Sequence, residues 1–453
     1  MFQIPLTQIR PTITSQTKRI LALSLPIIGG MMSQNIINLV DTLMIGQLGS
    51  LALAGCAIGS FIFYFCFVGF IGISSGVQTM VARLKGASKL NNQSVPLILG
   101  LVIAGVASIA IVIPVVACSY EIASFFSSDS STVSVGTDYL TFRILGLPFF
   151  AISLVIRGFW NGFGTPIRYL KIIIGIHITN FCLNYAFIFG HFGAPQLGAA
   201  GAGLASSLAL MVGTTLFMID IRSHLMGRII WSQLKPNFKW LLKLSAPISI
   251  QQIIEAGGVV CFFWILGQIG PHALAVGHVL IHIGLIAILP GIGLGLTTMT
   301  LVSESIGKLD HIQAALWPKH VFRIGKRLIG VFSLVAIATP GILLKPFITD
   351  PLLLTIAKWP LQLDAIAIFF EVGTIIYMHA LNGADQTTRV AITSCGIQWA
   401  IFLPTTYFVG VNLGFGMNAI WVVAIAFQVI QFLIFKRLWK GYSRGMKHLP
   451  DQP

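Results

Sequence analysis

The sequence predicts an all-α integral membrane protein of about twelve transmembrane helices. They fall in two six-helix lobes related by pseudo-two-fold symmetry along the membrane normal. Three observations predict this. Of the 453 residues 56% are hydrophobic and only 9% charged, with a mean hydropathy of +0.89. That is too little charge to clothe a soluble chain of this length. Apolar runs follow one another along almost the whole chain, each of about 20 residues, enough to cross a hydrocarbon core of about 30 Å. The second half also repeats the first at a fixed offset of 221 residues.

The spans are expected, in order, at 20–46, 53–80, 95–118, 138–161, 169–190, 201–221, 243–267, 273–303, 323–346, 360–383, 389–410 and 416–436. None alternates as a barrel strand would, so the bundle is helical. The basic residues orient it. With the N-terminus placed in the cytoplasm, only Lys345 and Lys358 of the 28 Lys and Arg fall in outside loops, and Arg143 and Arg157 lie within a span. The positive-inside rule then puts both termini in the cytoplasm of a multi-pass plasma (inner) membrane protein. The formal charge of +15 is therefore read as topology, not as a nucleic-acid footprint. The expected organisation is a cytoplasmic arm (1–19), a first lobe (20–221), a basic cytoplasmic linker (222–242), a second lobe (243–438) and a cytoplasmic tail (439–453). The opening segment is polar and basic, and the run after it is too long for a signal-peptide core.

The repeat is legible position by position. Ser24 and Pro26 fall on Ser245 and Pro247, and Gly46, Gln47 and Gly49 on Gly267, Gln268 and Gly270. Gly86 falls on Gly307, Asn161-Gly162 on Asn382-Gly383, and Arg168 on Arg389. An even number of spans per copy gives both copies one orientation, with a cleft between two lobes. Pro26 and Pro247, each expected a few residues inside a long helix, remove a backbone donor and permit a bend.

The acids do not repeat. Asp41 falls on Phe262, Glu255 on Gln34 and Glu371 on Phe150. A carboxylate needed to build a lobe would recur; one held in a membrane at a cost of about 2.5–3.5 kcal/mol without recurring points to a specific role. Gln34, Asn38 and Asp41 share one face of the first span, and His177, Asn180 and Asn184 form a second polar stripe on the fifth. In the other lobe Gln251 and Glu255 are one turn apart. Asp364 lies seven residues before Glu371, about 10 Å of helix rise, and nearer the outer mouth. Carboxylates among amides can hold a small cation or a proton. Tyr185, Phe262, Trp264 and Tyr377 are the candidate cavity aromatics, able to offer apolar and cation–π contact.

Other chemistry is thin. The six cysteines are scattered through apolar runs without metal or redox spacing. His278 and His282, one turn apart, lack a third ligand, so no metal site is expected. GISSG (72–76) and GIGLG (291–295) sit inside apolar helices, without the strand a nucleophile elbow or nucleotide loop needs. No catalytic constellation emerges, and an enzyme is not expected.

Five segments carry a resemblance to a known family. VDTLMIGQLG (40–49) after a proline-bearing first helix, NGFGTPIR (161–168), the Asn180/Asn184 pair, GAAGAGLAS (198–206) and LNGADQTTR (381–389) resemble the multidrug and toxic compound extrusion (MATE) transporters, over about residues 15–440. The resemblance implies export of hydrophobic, mostly cationic organic compounds in exchange for inward Na⁺ or H⁺. It further implies a rocker-switch between outward and inward states, no cofactor beyond the coupling ion, and a monomer. Glu255 and Glu371 match positions where the NorM-like branch carries its second-lobe cation-binding acids, and Asp41 matches the first-lobe acid of bacterial members. Two residues depart from the pattern: Glu371 stands where Asp is usual, and Asn184 where the DinF-like branch has a second acid. A flippase for a lipid-linked precursor, from the same superfamily, would share this plan with more basic residues in its cavity than Arg143 and Arg157. An intramembrane enzyme would need a nucleophile–base pair, for which His177 with Ser74 is a poor candidate.

Overall fold

The computed structural model describes residues 13–89, 92–225 and 231–446. The expected arm before residue 13, the middle of the linker at 226–230 and the tail beyond 446 lie outside the described residues. The first lobe comprises α1 (Ile13–Gly46), α2 (Ser50–Val68), α3 (Phe70–Gly86), α4 (Ser94–Ala117), a short α5 (Ser119–Ser124), α6 (Ser130–Ile144), α7 (Leu147–Phe163), α8 (Ile167–Phe189) and α9 (Gly198–Leu225). The second comprises α10 (Trp231–Ile269), α11 (Pro271–Gly307), α12 (His311–Ala338), α13 (Pro340–Leu344), α14 (Pro351–Gly383), α15 (Thr387–Ile397), α16 (Leu403–Tyr407) and α17 (Gly416–Met446). No strand occurs among the described residues.

The helices follow the order expected of twelve spans, but they are not uniform. Among the described residues nine are long and apolar enough to cross a membrane unaided, and α6 with α7, bent by 49°, makes a tenth. α2 and α3 abut at Gly69 and form one span, Ser50–Gly86. α12 falls short because Lys319, Arg323, Lys326 and Arg327 occupy its middle. The eleventh span is broken by π turns at Gln398–Phe402 and Phe408–Asn412. Pro404, just past the first turn, has no N–H to give, and the ladder there widens so that the Leu403 N–H reaches Gln398.

Helices also overrun the apolar signal. α1 starts at residue 13, and α9 and α10 extend into the segment read as linker. Backbone groups stay paired as long as the helix continues, so it persists past the hydrocarbon edge. Pro26 and Pro247 consequently sit well inside α1 and α10, which run through them. Carboxylates at the connections start helices. Asp129, Asp310 and Asp350 each accept a backbone N–H at 2.9 Å, from Thr132, Gln313 and Leu352.

The repeat is visible as packing. α3 and α11, equivalent across the offset, cross at Gly86 and Gly307. A Cβ on Gly86 would lie 2.1 Å from the Glu304 carbonyl oxygen, and one on Gly307 would lie 2.1 Å from that of Arg83. Arg83 and Glu304 are themselves repeat equivalents, so the local two-fold axis passes between these two glycines. Only the absence of a side chain permits the approach. The GISSG and GIGLG strings serve the same interface: Gly72 lies against Ser249, and Gly293 against Ile28, each across to the other lobe.

Polar bonds reinforce this end. Arg83 pairs with Asp385 and donates to the Gly383 carbonyl at 2.9 Å. Arg19 reaches Glu304 at 2.7 Å, and Gln78 donates to the Leu296 carbonyl at 2.8 Å. Nearer the middle of the span, Ser249 donates to the Gly69 carbonyl at 2.6 Å. Among the described residues, the polar bonds that join the lobes lie between mid-span and the basic ends of the helices. Those bonds hold the lobes together at that end.

Candidate functional site

In the first lobe a cavity of about 370 Å³ opens beside α1. Gln34, Asn38 and Asp41 line it, on the single helix face their spacing requires. Asp41 is half-buried. From α8, the Asn184 side-chain amide donates to its carboxylate at 2.6 Å, and to the Asn180 amide oxygen at 3.3 Å. Asn180 in turn donates to Ser206 at 3.2 Å. Gln34 donates to Asn38 at 3.0 Å, and the His177 Nε2 lies 3.1 Å from the Ser33 hydroxyl. A recess of about 30 Å³ continues past Asp41 to His177 and Asn180. All six first-lobe residues singled out in the sequence thus meet where α1 faces α8. The Asn184 amide oxygen is buried without a donor. A carboxylate beside such an oxygen is a place for a cation or a shared proton.

Sequence reasoning named Arg143 as a cavity residue only under the flippase reading, and it left out the aromatics that line this cavity. Arg143 lines both the cavity and the recess, its guanidinium 4.0 Å above the Phe63 ring. The aromatic wall is Phe63, Tyr64, Phe67, Tyr139 and Phe150. An arginine inside an apolar span was a usable signal; its proximity to Asp41 was not, because it depends on how the fourth span docks.

The four aromatics expected in the cavity lie elsewhere. Tyr377 is buried among Phe322 and Phe432, with ring centroids 6.1 and 6.0 Å away. Phe262 is buried, stacked on Phe402 at 5.6 Å and edge-on to Trp421 at 6.0 Å. Trp264 is exposed and stacks on Tyr407 at 5.7 Å, and exposed Tyr185 lies 4.3 Å from the His191 ring. Helix geometry turns Tyr185, Trp264 and Tyr377 off the faces of the neighbouring polar residues. Phe262 does share the face of Glu255, but Phe402 and Trp421 cover it.

The second-lobe acids sit in a different setting. One Glu255 oxygen accepts from Ser394 at 2.6 Å and from Gln251 at 2.9 Å, and the other lies 3.5 Å from the Gln252 amide. Gln398, in the first π turn, donates to the Glu255 backbone carbonyl at 3.4 Å. Glu371 and Asp364 are half-buried on α14. Ser394 and Gln398 were missed. Gln398 could have been found, since it is the repeat equivalent of His177.

Ser74 donates to the Leu154 carbonyl at 2.6 Å while His177 meets Ser33, so the two are not partners. His278 and His282 touch each other, at 4.7 Å between rings. Among the described residues no three His, Cys, Asp or Glu gather as a metal site.

Comparison with known proteins agrees with the duplicated plan. The MatE family model matches twice, over residues 26–186 and 247–408, with starts 221 residues apart. A probable multidrug resistance protein NorM of Idiomarina loihiensis is 23% identical, over 94% of this chain and 95% of its own length. Another, from Bacillus licheniformis, is 25% identical over 94% and 97%. Among solved structures, an outward-facing multidrug resistance MATE family transporter of the MOP superfamily has the same fold. Its TM-score is 0.88 at 15% identity, covering 95% of this chain and 97% of that one. Matched in both of its repeated halves, the chain belongs to the MatE family.

Proposed function

We propose that this protein is a secondary antiporter that exports hydrophobic, mostly cationic organic compounds in exchange for inward Na⁺ or H⁺. The observation that carries the reading is Asp41, held by one amide at the edge of an aromatic-walled cavity in a cleft closed at one end. The multidrug resistance names of its relatives support it. A bare carboxylate is too costly to bury, so the lobes close over it only once a cation or proton neutralises it. Organic cation and coupling ion compete for one charge, which makes exchange obligatory. The positive-inside rule makes the sealed end cytoplasmic and the arrangement outward-facing. Rocking then breaks the Arg83–Asp385 and Arg19–Glu304 pairs.

The test is efflux of a fluorescent lipophilic cation from liposomes, under a Na⁺ gradient and then under a proton gradient. Asp41→Asn is expected to slow export at least about tenfold, a loss of about 1.4 kcal/mol. Undiminished export by that variant, correctly inserted, would sink the proposal. Drive by Na⁺ alone, lost in Glu255→Gln, assigns coupling to the second lobe; drive by protons alone, lost in Asp41→Asn, assigns it to the first. The flippase reading draws on Arg143 and Arg157, and accumulation of a lipid-linked intermediate on deletion would favour it.

A further inference from the structure

One basic position is shared by the two lobes and satisfied in only one of them. Arg168 and Arg389 are repeat equivalents, each in the first turn of its helix, α8 and α15. In the first lobe the charge is answered: Arg168 lies 3.3 Å from Asp220 on α9 and 4.8 Å above the Trp160 ring. In the second lobe Leu381 stands for the tryptophan, and α17, the counterpart of α9, carries no Asp or Glu. Arg389 keeps the charge without either partner. Beside it stands a cation the first lobe lacks, Lys243, whose equivalent is Ala22. Among the described residues neither Arg389 nor Lys243 meets a carboxylate within 4 Å.

Both line a cavity of about 420 Å³ between α10 and α15, at the basic end of the helices. Gln386, Thr388 and Thr393 line it too, and Asp385 on its rim is already engaged by Arg83. α15 starts here, and the Gln386 side chain does not cap it, which leaves first-turn N–H groups as further donors. The cavity continues into an apolar face. Ile392, one turn beyond Thr388, is 69% exposed, and on α10 Ile250, two turns beyond Lys243, is 56% exposed. A Cβ on Gly396, the next turn of α15, would meet nothing within 4 Å. Past that point the Trp399 indole joins the two helices, donating to the Ile254 carbonyl at 3.2 Å.

We infer that this groove binds the headgroup phosphate of an anionic phospholipid from the adjoining leaflet, with an acyl chain laid along Ile392 and Gly396. Arg389 and Lys243 pair with the phosphate, and the two threonines and Gln386 bond its other oxygens and the glycerol hydroxyls. Two cations without an acid of their own favour a phosphate whose charge no choline or amine on the same headgroup balances. The apolar wall selects a lipid over a free phosphate, which would gain nothing from it. The site does not depend on what the protein carries.

The test is native mass spectrometry of the purified full-length protein in a non-ionic detergent, titrated with dioleoyl phosphatidylglycerol or dioleoyl phosphatidylcholine. Wild type is expected to bind the first phosphatidylglycerol about tenfold more tightly than phosphatidylcholine. Both basic side chains are exposed, so glutamine in their place spares the fold. Lys243→Gln with Arg389→Gln should bring the ratio to about one, while Arg389→Lys, which keeps the charge, should retain most of it. Arg168→Gln removes the equivalent charge from the other lobe and should leave the ratio unchanged. Equal binding of the two lipids by wild type overturns the inference, as does a preference that survives the double substitution. A preference lost equally in Arg168→Gln would reflect overall charge and overturn it too. Displacement of phosphatidylglycerol by millimolar inorganic phosphate would make the occupant a soluble anion and overturn the lipid assignment.

Discussion

The two lobes share a scaffold and differ in their chemistry. Where they carry the same residue, they carry it for packing: Gly86 and Gly307 make the same contact with each other's helix, and Gly162 and Gly383 each face a backbone carbonyl, of Gln78 and Met299, at 2.4 and 2.7 Å from a built Cβ. Where they differ, the difference lies at the cleft. Asp41 has one amide donor and an open cavity in front of it. Glu255 has hydroxyl and amide donors on both oxygens, beside a π turn that the first lobe lacks. Duplication supplied two walls of one plan, and divergence left an open, aromatic-lined cavity before Asp41 in one and a carboxylate with several donors, Glu255, in the other.

This comparison can be broken first at the scaffold. Gly86→Val and Gly307→Val should be equally damaging, since each puts a side chain into a carbonyl oxygen of the other lobe. We expect each to abolish export and to lower thermal stability by roughly 1–3 kcal/mol or more. Melting curves in detergent that differ widely between the two would show that the axis is not shared.

A middle-sized effect distinguishes the acids. Asn184→Ala removes the one side-chain donor Asp41 has, whereas Ser394→Ala leaves Glu255 with its glutamines. A hydrogen bond to a charged group contributes about 1.5–3 kcal/mol, so Asn184→Ala should reduce organic-cation binding by at least about tenfold. Ser394→Ala should weaken ion coupling by less. Equilibrium dye binding and ion-dependence curves check both, and the reverse order would contradict the contrast drawn between the lobes.

The smallest effect is expected at the seal. Arg83→Gln loses a partly exposed ion pair, worth about 0.2–1 kcal/mol. It should tilt the protein a few-fold toward the state open at the basic end. Labelling of a single cysteine introduced there would report that shift, and no change would mean that the Arg83–Asp385 pair does not hold the closure.

Much of the site was legible because helices are periodic. The stripe Gln34, Asn38, Asp41 and the stripe His177, Asn180, Asn184 each had to occupy one face, and both faces turned out to meet. The aromatics failed for a related reason. Closeness in sequence to an acid or amide places a residue within two or three turns of it, but on another face, or on the same face under a neighbour such as Trp421. Arg143 was visible as an anomaly, yet its place beside Asp41 depends on the bend between α6 and α7.

The sequence by itself determined the spans, the duplication and the acids that escape it. Hydropathy, helical period and the 221-residue offset are properties of the chain alone. Only the tertiary structure decided which polar faces become cavity, which carboxylate is rich in donors and which end of the cleft is shut. Those outcomes rest on contacts such as Asn184 with Asp41 and Ser394 with Glu255, separated by 143 and 139 residues. Local pattern carries no information about such pairs, because they form only when whole helices dock.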